Sequence, residues 1–238
     1  MASLQEKKKT ILLKMSGELF TITDPETGGG SVRKIVTDIA SLAQKIRLCL
    51  VIGGGNFFRG EQESKALDLP EDVGHEVGML ATIMNGKILQ ALLEQHGCAA
   101  TILTALPSSG YRAISHESID TALAQNRVII FVGGTGNPYF STDTAAVIRG
   151  LQIGAWQLWK ATKVDGIYDK DPRAHRDAKL FKSITYDEAL NQKIGVMDLT
   201  AMTLAAKYKL PIRVFNLFAS NALGNALNDP NFGSLLQV

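Results

Sequence analysis

Two lysines end apolar runs in this chain, and each is followed two residues later by a hydroxyl. Ile11-Leu12-Leu13 leads into Lys14-Met15-Ser16-Gly17-Glu18, and Gln157-Leu158-Trp159 leads into Lys160-Ala161-Thr162. An ammonium group at the end of a buried strand is unfavourable unless it faces water or an anion. Two more apolar runs end in glycine. Leu48-Cys49-Leu50-Val51-Ile52 gives way to Gly53-Gly54-Gly55-Asn56, with Arg59 just beyond. Val128-Ile129-Ile130-Phe131-Val132 gives way to Gly133-Gly134-Thr135-Gly136-Asn137-Pro138-Tyr139-Phe140-Ser141-Thr142-Asp143. Glycine lets the main chain approach a ligand closely and turns N–H groups outward. Arg59 can pair with phosphate oxygens, and Ser141 or Thr142 can cap a following helix with Asp143 in its first turn. Taken singly, each stretch also fits an ordinary strand-to-helix turn or a lysine reaching for solvent. Four strand-end loops together supply positive charge, N–H donors and a carboxylate, which are the demands of phosphoryl transfer.

Other chemistries lose support. No Cys–His pair or Ser–His–Asp elbow is suggested, and GxSxG is absent. Neither glycine loop satisfies GxGxxG, and nothing matches GxxxxGK[ST], which removes a dinucleotide fingerprint and a Walker-type loop. Cys49 and Cys98 lie in apolar runs without CxxC spacing and read as buried thiols of a reducing compartment. Asp72, His75 and Glu76 can hold a metal or simply complement a helix N-terminus. A net charge of +2 gives no electrostatic case for nucleic acid or membrane. Lys14 interrupts the apolar run that follows Lys7-Lys8-Lys9, so a secretory leader is not expected, and the reading is a cytoplasmic protein.

The elements that must position these groups follow from periodicity. Apolar, β-branched runs predict strands starting at Ile11 and over residues 48–52, 99–103, 127–132, 157–162 and 211–216. Helical spacing is predicted over 31–42, with Ser31 as N-cap after a flexible loop at residues 28–30, and over 73–95. In the second, Val77, Leu80, Ala81, Met84, Ile88 and Leu92 share a stripe, and Met79 and Met84 read as core packing. Further helices are expected over 119–124, after Asp143, and near 186–190 and 198–208, with a short helix and an edge segment closing the chain. A polar loop over 163–172 carries Tyr168, which can stack on a base. Strands alternating with helices imply an α/β fold with a mainly parallel sheet covered on both faces, where ligands collect at the carboxyl ends of strands. At 238 residues the chain is expected to form a single domain, residues 1–9 being a flexible tail.

Several runs carry a resemblance: Lys14 to Glu18, Val51 to Gly60, Gly78 to Asn85, Gly134 to Asp143, Lys160 to Tyr168 and Pro211 to Asn216. Together they resemble the bacterial uridylate kinases, a branch of the amino acid kinase superfamily. The resemblance runs from about Ile11 to the C-terminus, and its GTGNP and KATKVDG segments are the sharpest. It implies a three-layer αβα sandwich and transfer of the ATP γ-phosphoryl group to UMP with Mg²⁺, in pyrimidine nucleotide synthesis. By that pattern Lys14, Met15, Ser16, Gly17, Gly55, Arg59, Thr162, Tyr168 and Asp171 match ATP-side positions. Gly54, His75, Thr135, Gly136, Asn137, Pro138, Tyr139, Phe140, Ser141 and Thr142 match the UMP side. Lys14, Lys160 and Arg59 resemble the cations that neutralise the transferring group, and Asp143 the carboxylate that orients them or helps hold Mg²⁺. A homo-oligomer, a hexamer by resemblance, is implied as well.

Two positions depart from the pattern. His75 stands where relatives place an aspartate on the UMP ribose, with Glu76 beside it, and either can accept a ribose hydroxyl hydrogen bond; Trp156 stands where an acidic residue is expected. The competing readings are a related kinase acting on a carboxylate or carbamate, and a nucleotide-binding protein without catalysis.

Overall fold

In a computed structural model, residues 8–21, 29–107 and 110–238 are described. The expected tail up to Lys7, and Gly28, lie outside them. In chain order the elements are β1 (Thr10–Met15), a 3₁₀ turn (Gly17–Phe20), α1 (Gly29–Ala43), β2 (Arg47–Ile52), α2 (Gly60–Ala66) and α3 (Glu71–Gln95). Next come β3 (Ala100–Thr104), β4 (Arg112–Ala113), α4 (His116–Ala124), β5 (Val128–Val132), α5 (Thr142–Gln152) and β6 (Gln157–Thr162). The chain continues through β7 (Ile167–Tyr168), β8 (Leu180–Phe181), β9 (Ser183–Thr185), α6 (Tyr186–Asn191), α7 (Leu199–Lys207), β10 (Ile212–Asn216), α8 (Ala222–Asn228) and β11 (Ser234–Gln237).

Nine strands form one sheet among the described residues, in the order β4-β3-β5-β2-β1-β6-β10-β11-β9. Every neighbouring pair is parallel except β10–β11. The central strands are apolar on both faces because helices cover both, which is why they read as continuous hydrophobic runs. One core layer joins Leu13, Trp159 and Phe215 to Ile35, Ile39 and Leu89. The other joins Leu12, Val51, Leu158 and Val214 to Ala146, Val147, Ala201 and Met202. The result is the expected three-layer α/β sandwich.

The strands predicted at the centre agree closely with those observed. The ends and edges differ. α1 begins at Gly29, so Gly29 and Gly30 are helical and Ser31 is inside the helix, not its cap. β11 lies between β10 and β9, leaving β9 as the edge. Cys49 is buried, its thiol pushed up to about 12 by desolvation, whereas Cys98 is half-exposed.

The larger correction concerns α3. Leu80 and Met84 are 54% and 51% exposed, and Ile88 is exposed with them, so this part of the predicted stripe faces outward. The buried face is instead Gly74, Met79, Ala81, Thr82, Asn85, Gly86, Leu89 and Leu93. Small and polar residues turn inward because the strand-end loops press directly against them. A Cβ placed on Gly86 would strike Val132 Cγ1 on β5.

Candidate active site

Parallel pairing brings the two strand-end lysines together. β1 and β6 are adjacent, and Lys14 is the direct cross-strand partner of Lys160. Like charges facing one another in a sheet repel, and Asp143 resolves the conflict. Its Oδ1 is 2.7 Å from Lys14 Nζ, and its Oδ2 is 2.6 Å from Lys160 Nζ. Lys160 also donates to the Val196 carbonyl at 2.5 Å. Burial pushes the Asp143 carboxyl upward, but Lys14 and Lys160 outweigh it and hold the group below its ordinary value. Burial and the nearby Lys14 together depress Lys160 despite the attraction of Asp143. The trio is a fixed array in which one carboxylate bridges two lysines.

Asp143 is placed by the helix that follows the glycine-rich loop. Ser141 caps α5, its hydroxyl accepting from the N–H groups of Asp143 (3.0 Å) and Thr144 (3.1 Å). That hydroxyl also donates to Asp198, the N-cap of α7, and Thr144 Oγ1 bonds the same carboxylate at 3.0 Å. Two helix starts are thus fastened to each other beside the lysine pair. The loop itself turns through Gly133, Gly134 and Gly136 at φ +78°, +58° and +85°, values that demand glycine. Tyr139 adopts φ +68°, uncommon for a bulky residue, and its ring packs on His75 with centroids 5.1 Å apart.

Two cavities flank the lysine pair. The one on the Lys14 side, about 290 Å³, is lined by Ser16, Gly17, Gly54, Gly55, Arg59, His75, Phe140 and Thr142, among others. The one on the Lys160 side, about 510 Å³, is lined by Thr162, Tyr168 and Asp171 together with Lys193, Ile194 and Gly195. Lys14, Ser16, Gly17, Gly55 and Arg59 of the ATP-side set share the smaller cavity with Gly54, His75, Phe140 and Thr142 of the UMP-side set, whereas Lys160, Thr162, Tyr168 and Asp171 line the larger.

Other predicted residues stand back from the cavities. The Met15 side chain is fully buried, and its carbonyl accepts from Gly53 N–H at 3.1 Å. Thr135 Oγ1 and Asn137 bond each other within the loop, at 3.0 and 3.1 Å. Gly136 N–H closes a turn onto Gly133 O at 3.0 Å. Pro138 and Tyr139 lie on the outer part of the loop and do not line the smaller cavity. Arg59 pairs with Glu18 across the cavity mouth, and Lys163 Nζ lies 3.6 Å from the same carboxylate. His75 Nε2 lies 3.6 Å from Glu71.

No group of three or more His, Cys, Asp or Glu side chains converges to hold a metal among the described residues. Both oxygens of Asp143 already face ammonium groups. The donor set is not that of a resident metal site.

Residues 9–216 match the amino acid kinase family. The chain belongs to that family. It is 40% identical to a uridylate kinase of Psychrobacter cryohalolentis over 98% of both chains. It is 41% identical to one of Methylococcus capsulatus over 96% of both. A crystal structure of UMP kinase from Ureaplasma parvum superposes with a TM-score of 0.91 at 31% identity, covering 97% of this chain and 99% of that one. UMP kinase from Bacillus anthracis gives 0.89 at 26%, covering 97% and 96%.

Sequence reading missed two residues of this amino acid kinase site. Thr82 and Asn85 of α3 are buried polar groups bonded to the glycine loops. Their signal was present as small or polar residues at positions 78, 82, 85 and 86, a helical spacing for one face.

Proposed function

We propose that the protein is a uridylate kinase, transferring the γ-phosphoryl group of ATP to UMP to give UDP and ADP in pyrimidine nucleotide synthesis. The observation that carries this reading is the Lys14–Asp143–Lys160 array set between two cavities of nucleotide-compatible size. An oxygen of the UMP phosphate attacks the γ-phosphorus, the bond to the β,γ-bridging oxygen breaks, and ADP leaves with that electron pair. The acceptor phosphate is already a competent nucleophile, so no strong base is needed. Alignment and charge neutralisation carry the rate.

The Lys160-side cavity takes the adenosine end, with Tyr168 against the base and Thr162 and Asp171 beside it. The triphosphate then runs past Ser16, Gly17, Gly55 and Arg59 toward Lys14. UMP lies on Gly54 and under the loop from Thr135 to Thr142, with His75 near its sugar. Lys14 and Lys160 stabilise charge on the transferring group. Asp143 keeps both ammonium groups aimed at that point. Mg²⁺ arrives with the ATP phosphates as part of the substrate, supplying further charge neutralisation, in line with the usual binding of that ion by phosphates plus few protein ligands.

The proposed site of action is the cytoplasm; no helix among the described residues is long and apolar enough to cross a membrane. The outward stripe of Val73, Leu80, Met84 and Ile88 on α3 supports self-association. Sedimentation of the purified chain tests that point, a monomer at micromolar concentration contradicting it. The activity is tested by Mg²⁺-dependent ADP release with UMP, CMP or glutamate as acceptor. Turnover with UMP well above the others is expected. Turnover with glutamate alone would favour the carboxylate-kinase reading, and none with any acceptor a binding protein.

A further inference from the structure

Phosphoryl transfer requires donor and acceptor phosphates to be held in one register, and α3 is the element bonded to both glycine loops. Thr82 Oγ1 accepts from Gly133 N–H at 2.7 Å while donating to Met79 O at 2.7 Å. One turn further on, the fully buried Asn85 donates from Nδ2 to Gly53 O at 2.7 Å. It also pairs amide to amide with Asn56, at 2.7 and 3.1 Å. The contact between loop and helix is direct. A Cβ on Gly54 would lie 2.5 Å from Gly78 O and 3.1 Å from Thr82 N. Buried polar side chains normally find partners, but these two reach past their own helix, each to a different strand-end loop.

We infer that Thr82 and Asn85 are positioning residues that register the two substrates against a single helical turn. Thr82 governs the acceptor through the Gly133–Gly134 turn, and Asn85 governs the ATP phosphates through Gly53 O and the Asn56 side chain, which set the path of the main chain into Gly55 and Arg59. The inference rests on the uridylate kinase reading of the cavities. Its distinguishing consequence is a split: the two side chains sit three residues apart, yet their removal disturbs different substrates.

The test is steady-state kinetics of the full chain, with melting temperature and circular dichroism as fold controls. Thr82→Val keeps the shape but strands the buried Gly133 N–H, and the KM for UMP is expected to rise about tenfold or more. The KM for ATP should stay within about twofold, since that loop keeps its own bonds. Thr82→Ser, which retains the oxygen, should return the UMP KM to within about threefold of the parent. Asn85→Leu should show the opposite split, with the ATP KM rising more than the UMP KM. Equal shifts in both constants, unchanged constants in folded variants, or a serine variant no better than valine would overturn the inference. Should Thr82→Val fail to fold, the serine variant carries the test alone, a UMP KM raised beyond about tenfold overturning it. A parent protein inactive on UMP refutes the functional reading itself; an active parent with unsplit variants refutes only the positioning roles.

Discussion

Asp143→Asn tests the electrostatic account most sharply because it changes charge with almost no change in shape. In the parent, the carboxylate contacts Lys14 at 2.7 Å and Lys160 at 2.6 Å, and all three side chains are 13–16% exposed. Asparagine leaves two ammonium groups as cross-strand partners with no anion between them. Breaking a buried pair in this way costs about 3–5 kcal/mol. Lys160 keeps its bond to the Val196 carbonyl, so we place the loss near the lower end, about 3 kcal/mol. For a chain of this length each kcal/mol moves the melting temperature by roughly 2–4 °C, which predicts a fall of about 6–12 °C. Turnover should drop on the order of 10²–10³-fold as the lysines lose their aim. The diagnostic readout is ligand rescue. Bound nucleotide phosphates replace the missing anion, so saturating nucleotide should raise the variant's melting temperature more than the parent's. Differential scanning fluorimetry with and without nucleotide measures all of this except turnover. A variant that melts within about 2 °C of the parent and gains nothing extra from nucleotide would refute the reasoning.

Other consequences follow from the same geometry. Lys14→Ala should lose turnover by about 10²-fold or more with little change in UMP affinity, read by initial rates and UMP binding; near-normal turnover would remove the role. Gly54→Ala would drive a Cβ to 2.5 Å from Gly78 O, so it should destabilise by about 1–3 kcal/mol and weaken acceptor binding, checked by urea unfolding and UMP KM. Burial lowers Lys160, so turnover should decline with rising pH before an ordinary lysine would deprotonate. Because its folded value lies below its unfolded value, the same group's contribution to stability rises over that alkaline window. Asp143, held low by its lysines once burial is overcome, contributes stability fully above its unfolded value and loses it as pH falls through the folded one. Parallel rate and melting profiles check both signs.

Much of this was legible in the chain itself, for definite reasons. The central strands are continuous apolar runs because both sheet faces are buried, so their carboxyl ends, with Lys14, the glycine loops and Lys160, could be placed from sequence. The pairing that makes Lys14 the neighbour of Lys160 is a matter of strand order, which no local pattern encodes. The inward face of α3 was misread because that helix is apolar on its outer side as well. Hydrophobicity favours Leu80 and Met84, whereas close approach of the loops favours Gly78, Thr82, Asn85 and Gly86. β7, β8 and β9 have two or three residues each, too few to show a period.

The measurement that bears most directly on the central claim is the fate of the γ-phosphorus. With γ-labelled ATP, Mg²⁺ and UMP, the label should appear as the β-phosphate of UDP, in amounts equal to the ADP formed. Label recovered in inorganic phosphate, or UDP formed without it, would contradict direct transfer across the Lys14–Asp143–Lys160 array.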